Sequence, residues 1–245
     1  MAMSEMQSVI STIEFELIPF SRAIDDDHFA SGGVGTIAKW VMEYLCLPHP
    51  ELGRIGIVCP WAPVAIAQDT LWITRIDVAG LTEQAVDNSI ESLLGVYREQ
   101  IPTDGDEARH KTIIAIVDGL DRPSDVAKIH HRMKPVFVAQ GLMLGEFYEG
   151  CEKPGIRNAN FHALHSPLPL LVIREMVALD AVFLAEHKAF LDDYFTRHGE
   201  HGLNKMNAML RPENRPNIPP HCAEMMKAYL SERVHSMDDL DAHVP

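Results

Sequence analysis

The sequence predicts an α+β fold: a two-layer sandwich with a mixed or antiparallel sheet, helices on one face and a helical C-terminal extension. Three observations lead there. Short apolar, strand-like segments are interspersed with amphipathic helical stretches, in an order that packs most simply as two layers. No segment recurs at a fixed period, which excludes solenoid, collagen-like and coiled-coil architectures. With 245 residues, 47% hydrophobic and 23% charged, the chain can bury a core of ordinary size for one large domain.

The elements follow in chain order. A polar-to-mixed lead-in ends in the acidic Asp25–Asp27. After the glycine-rich SGGVG, residues Ile37 to Leu45 read as a helix. Gly56–Cys59 is short and apolar, and Pro60 and Pro63 stop it. Leu71–Val78 alternates as a strand does, and Thr82–Gln100 carries Val86, Ile90, Leu93, Leu94 and Tyr97 at helical spacing. Lys111–Val117 is a second strand, closed by Asp118-Gly119. Pro123 occupies a first-turn position before a helix over Ser124–Met133. Val136–Leu144 and Leu170–Ile173 are the third and fourth strands. A long helix is expected from Met176 to Arg197, and a last one over His221–Val234. The chain thus divides into an N-terminal extension with one helix (1–54), an α+β core (55–198), and a proline-rich segment, helix and acidic tail (199–245).

Charge and composition narrow the partners. Lys plus Arg total 21 against 35 Asp plus Glu, a net charge of −14. No basic stripe exists to displace counterions, so nucleic acid is not expected as a partner. An anionic membrane surface would repel the chain, and no apolar run reaches the ~18 residues of a bilayer span. The N-terminus lacks the basic and apolar regions of a secretory signal. Cys46, Cys59, Cys151 and Cys222 are widely separated and form no CxxC pair, so a cysteine-rich zinc site is not expected. Isolated thiols without a signal suggest the cytoplasm.

Several residues carry chemistry that needs explaining. Gly33-Val-Gly35-Thr-Ile-Ala38 has the form of a dinucleotide fingerprint, but no strand precedes it and acidic residues would repel phosphates, so it reads as a helix entry. Cys59-Pro60 offers a thiolate or nucleophile, or a small residue in a turn. His130 falls on the apolar side of its helix and His131 does not; both read as core or boundary histidines, since adjacent helical positions do not converge. His162 and His165, three apart in a loop, could ligate iron or relay protons. His187 occupies the stripe Leu179, Phe183, Phe190, Tyr194, where a histidine must be hydrogen-bonded or ligate something. Arg174 ends a strand, placed either to fork onto a substrate carboxylate or to form an internal ion pair. Glu146 and Tyr148 follow Gly141–Gly145, where a strand gives way to a loop and can present a carboxylate and a phenol to a pocket.

Residues 55–185 carry a recognisable set of motifs: Cys59-Pro60, Gly141-Leu-Met-Leu-Gly145-Glu-Phe147 and the Pro167–Leu171 strand entry. In these the chain resembles a bacterial domain family of unknown function, whose members look like companions of peptide-synthetase and other secondary-metabolite genes. More loosely, Val58-Cys59-Pro60, Gln140–Gly145 and Pro169–Met176 are similar to the YqcI/YcgG-like haem proteins, some of which hydroxylate guanidine nitrogens of arginine. That family tends to have a histidine where this chain has Glu175-Met176. The resemblance implies a tailoring enzyme of specialised metabolism that oxidises a small amino-acid-like substrate with haem or iron. Its ligands would come from His162, His165 and His187, or from Met176, with Arg174, Glu146 and Tyr148 around the substrate. Two other functions stay open: a non-catalytic partner of a biosynthetic complex, and a cofactor-free acid–base isomerase or cyclase. A homodimer is compatible with each.

Overall fold

A computed structural model describes residues 15–211 and 218–241. The beginning of the expected lead-in, the middle of the proline-rich segment and the end of the acidic tail lie outside the described residues. The structure is α+β, with a mixed five-stranded open sheet in the order β1-β2-β3-β5-β4. β1 (Ile18–Pro19) is a two-residue edge strand antiparallel to β2 (Leu71–Asp77). Between them lie α1 (Phe20–Asp25), α2 (Asp27–Ala30), α3 (Gly33–Trp40), a π-helical turn over Val41–Leu45 and α4 (Ala62–Ala67). α5 (Glu83–Glu99) and the single turn α6 (Gly105–Ala108) lead to β3 (Thr112–Asp118), which is parallel to β2. α7 (Val126–Ala139) leads to β4 (Leu142–Phe147). β5 (Leu170–Glu175) inserts between β3 and β4, antiparallel to both. α8 (Ala181–Leu184), α9 (Lys188–Met209) and α10 (Pro220–Asp241) complete the chain. No helix among the described residues is long and apolar enough to cross a membrane.

Strand alternation explains the two sheet faces. Trp72, Ile76, Ile113, Ala115, Leu171 and Leu144 point one way, into a core shared with α5 and α7. The residues expected to face inward on α5 are buried there, and Thr82 caps that helix by accepting from the Ala85 amide at 3.3 Å. Leu71, Ile73, Ile114, Ile116 and Leu170 point the other way and are covered by α1, α3 and α4. The expected layer of helices is therefore joined by a second, on the opposite face. Gly35 permits its closest contact, since a Cβ there would lie 2.3 Å from the Phe29 carbonyl oxygen. A third cluster joins Val138 and Met143 to α8, α9 and α10, where the Tyr229 hydroxyl donates to Asp192 at 2.9 Å.

Two expected elements differ. Val136–Leu144 is not one strand: Val136–Ala139 completes α7 and Leu142 opens β4. The buried face Val126, Ile129, Met133 continues to Phe137 at helical spacing, across Pro135. A short apolar run does not distinguish a helix end from a buried strand, and here the turn comes at Gly141, with φ +74°. The helix expected over Met176–Arg197 is also interrupted. A 3₁₀ turn (Ala178–Asp180) and α8 precede α9, which kinks at Gly199. The break resets the helical phase. Phe190 and Tyr194 are buried, whereas Leu179 and Phe183 are 57% and 44% exposed.

Candidate functional site

The end of β4 gathers several of the expected residues. Leu142, Leu144 and Glu146 alternate onto the face beneath α7, so the Glu146 carboxylate is buried. His130, on the buried side of α7, meets it: Nδ1 lies 3.0 Å from Glu146 Oε2, and Nε2 lies 2.9 Å from the Leu144 carbonyl. A carbonyl only accepts, so Nε2 donates there, and Nδ1 faces the carboxylate. Lys153, half-exposed, closes the group by donating to Glu146 Oε1. Burial works against the Glu146 charge, but His130 and Lys153 outweigh it and hold the pKa at about 2.

Tyr148 and His165 lie alongside, joined by an isolated parallel bridge. The Tyr148 hydroxyl is pushed up to about 12, first by burial and then by its hydrogen bond with Cys151. His165 Nδ1 accepts from the Gly150 amide at 3.1 Å and so caps that turn. Glu146, Tyr148 and His165 are thus brought to one region, but each is engaged by a neighbouring group. Both nitrogens of His130 face protein acceptors, which leaves no lone pair for a substrate. The sequence signal for this group was available: His130 falls in the Val126, Ile129, Met133 stripe and Glu146 alternates with Leu142 and Leu144. A histidine and a glutamate on buried faces of consecutive elements imply a pair. Lys153 carried no such signal.

The other expected residues lie elsewhere. Arg174 is spent internally: its two terminal nitrogens each meet an Asp180 oxygen at 2.7 Å, and one also donates to the Glu175 carbonyl at 2.9 Å. This is the ion pair of the two readings open from sequence, and the substrate-carboxylate fork is already filled. His187 is not in an apolar stripe; it is exposed at the start of α9, edge-on to Phe190. His162 is exposed in the loop before β5. Among the described residues, no three His, Cys, Asp or Glu side chains form a group that could hold a metal. His162, His165 and His187 are therefore not gathered into one such group.

A cavity of about 390 Å³ opens at the opposite edge of the sheet. Glu16, Ile18, His28, Phe29, Gly33 and Arg75 border it. Arg75 extends from β2 and donates through Nε to Asp118 Oδ2 at 2.8 Å. Asp118 ends β3, so the cavity lies near the carboxyl ends of the parallel pair, where open sheets commonly take ligands. A Cβ on Gly33 would lie 3.9 Å from Arg75 Cζ and 3.3 Å from Leu168 Cδ1. Glycine at this position thus keeps the floor beside the guanidinium low. No side chain caps α3 at Gly32, at the border of this cavity. Sequence reading noticed these glycines but not Arg75 or Glu16, because only the β1–β2 pairing brings the two onto one face.

A family described as a domain of unknown function (DUF6875) matches residues 34–209. The chain belongs to that family. No curated protein and no solved structure matches it. The DUF6875 match contains the Glu146–His130–Lys153 group, the Arg174–Asp180 pair and Arg75, while Glu16, His28 and Phe29 precede it. The expectation of a family without an assigned function holds.

Proposed function

We propose that this DUF6875 protein holds a small amino-acid-like molecule in the cavity beside Arg75, as a tailoring enzyme of specialised metabolism. One observation carries the reading: the cavity is of ligand size and carries opposite charges on its border, Glu16 and Arg75, over an apolar wall of Ile18 and Phe29. A zwitterion matches that set. Its carboxylate would lie on Arg75, whose terminal nitrogens remain beyond the Nε contact to Asp118, and its ammonium on Glu16. The acidic residues flanking Arg75 favour a ligand that brings its own cation over a polyanionic one.

Haem- or iron-dependent oxidation rests on the resemblance alone, and no step through such a group is derived from these residues. A Soret band in protein expressed with haem precursor, lost in His162→Ala, His165→Ala or His187→Ala, would restore it. The acid–base alternative is disfavoured at Glu146 because both nitrogens of its buried partner His130 are engaged.

Calorimetric titration with free amino acids, their N-acetyl derivatives and their methyl esters tests the proposal. Binding of a free amino acid, weakened at least tenfold by either blocking group and by Glu16→Gln or Arg75→Gln, is expected. If no free amino acid binds, or blocked forms bind equally well, the reading fails.

A further inference from the structure

The two half-buried cysteines of the N-terminal layer are placed opposite each other. The Val58 amide donates to the Leu47 carbonyl at 3.0 Å, and the Cys59 amide donates to the Leu45 carbonyl at 2.8 Å. Cys46 lies between those two acceptors, and Pro48 and Ile57 continue the pairing as an antiparallel bridge. The Cys59 amide bonds the carbonyl of the residue that directly precedes Cys46, which brings the two Cα atoms within about the 4.4–6.8 Å that a disulfide spans. Both side chains pack against the same core cluster. Neither is fully buried, unlike Cys151 and Cys222. The π-helical turn Val41–Leu45 ends immediately before Cys46; such turns interrupt a regular helix at a cost that is often tied to function. Burial, and then the neighbouring Cys59, push the Cys46 thiol up.

We propose that Cys46 and Cys59 are a modification site, a dithiol that a small disulfide such as glutathione disulfide oxidises to an intramolecular bond. The thiolate of one cysteine attacks the small disulfide, forms a mixed disulfide and releases one small thiol. The second cysteine, as thiolate, attacks the protein sulfur of that mixed disulfide and releases the other small thiol. Two S–H bonds and one S–S bond are exchanged for one protein S–S bond and two small thiols, and no further oxidant is needed. The product would tie the end of the α3 helical run to the segment that enters α4, closing the loop 46–59. This site is independent of the cavity and of any ligand there.

The test is performed on the wild-type chain. Folded protein is incubated at pH 8 with excess glutathione disulfide, alkylated and analysed by intact mass and peptide mapping. The expected product has lost two hydrogens, links Cys46 to Cys59, and leaves Cys151 and Cys222 alkylable only after denaturation. Its Tm should exceed that of the reduced protein by roughly 5–10 °C, and a small thiol should reverse the change. Cys46→Ser and Cys59→Ser should each retain one glutathione on the remaining cysteine, because the second step is lost. An unmodified chain, separate glutathione adducts on both cysteines of the wild type, or a link to Cys151 or Cys222 would each overturn the proposal.

Discussion

The environment of Glu146 makes stability depend on pH. Its pKa is held near 2 against an ordinary 4.5, so the folded state binds fewer protons than the unfolded chain between those values. The stabilisation is present above pH 4.5 and is lost as pH falls towards 2. Glu146→Gln should therefore cost on the order of 3 kcal/mol at neutral pH, and much less at pH 2–3. Denaturant unfolding at both pH values measures this; an equal cost at each would remove the ion pair as the cause. Thr74 presents the opposite case. Its hydroxyl is fully buried without a hydrogen-bond partner among the described residues, on a strand position shared with Trp72 and Ile76. Thr74→Val keeps the shape and removes the unmet polar group, so it should raise stability by about 1 kcal/mol in the same assay. Arg174 and Asp180 are coupled, and removing one partner leaves a charge stranded. Asp180→Asn should cost about 3–5 kcal/mol, and Arg174→Met in the same chain should recover part of it. Additive losses would show that the two do not act as a pair.

At the scale of elements, glycine separates close packing from helical propensity. Gly35→Ala places a methyl against backbone of α2 and should destabilise by about 2 kcal/mol or more. Gly95, inside α5, has nothing within 4 Å of an added Cβ, so Gly95→Ala should stabilise by roughly 0.5–1 kcal/mol. Thermal melts of the two variants should move in opposite directions; a shared sign would contradict the packing argument. The same contrast shows what a sequence can reveal. β2, α5 and β3 were legible because their periodicity is long and the face is unambiguous. The end of α7 was not, since Val136, Phe137 and Val138 satisfy a helix end and a buried strand equally. α9 was misread for a different reason. Apolar residues separated by an unmarked break still mimic one stripe, and His187 inherited a false position from that phase. For the site, Glu146 is expected just beyond the strand but lies buried inside β4, with Tyr148 directly after its end, and their engagement with His130 and Cys151 depends on which elements meet. Arg75 and Glu16, 59 residues apart in the sequence, come together only through the pairing of a two-residue edge strand with β2, which no local pattern encodes.

For the whole molecule, three cores hold the layers together, and they are not equally self-sufficient. The first two each contain the sheet, whereas the third depends on α10 contributing Cys222, Met226 and Tyr229. A chain ending at residue 211 loses those side chains, worth about 4–8 kcal/mol of apolar burial. α9 amides should then exchange rapidly with deuterium while β2, β3 and β5 stay protected. Protection of α9 in the truncated chain would show that the helix packs without α10. The sheet order has a further consequence, in time rather than space. β4 leaves the ribosome before β5, yet β5 must sit between it and β3. At about 5–20 residues per second, the 22 residues separating β4 from β5 take roughly 1–4 s to appear. Throughout that interval both strands bordering the gap are without their shared neighbour, and the nascent sheet is exposed to association with other chains until residue 175 has emerged.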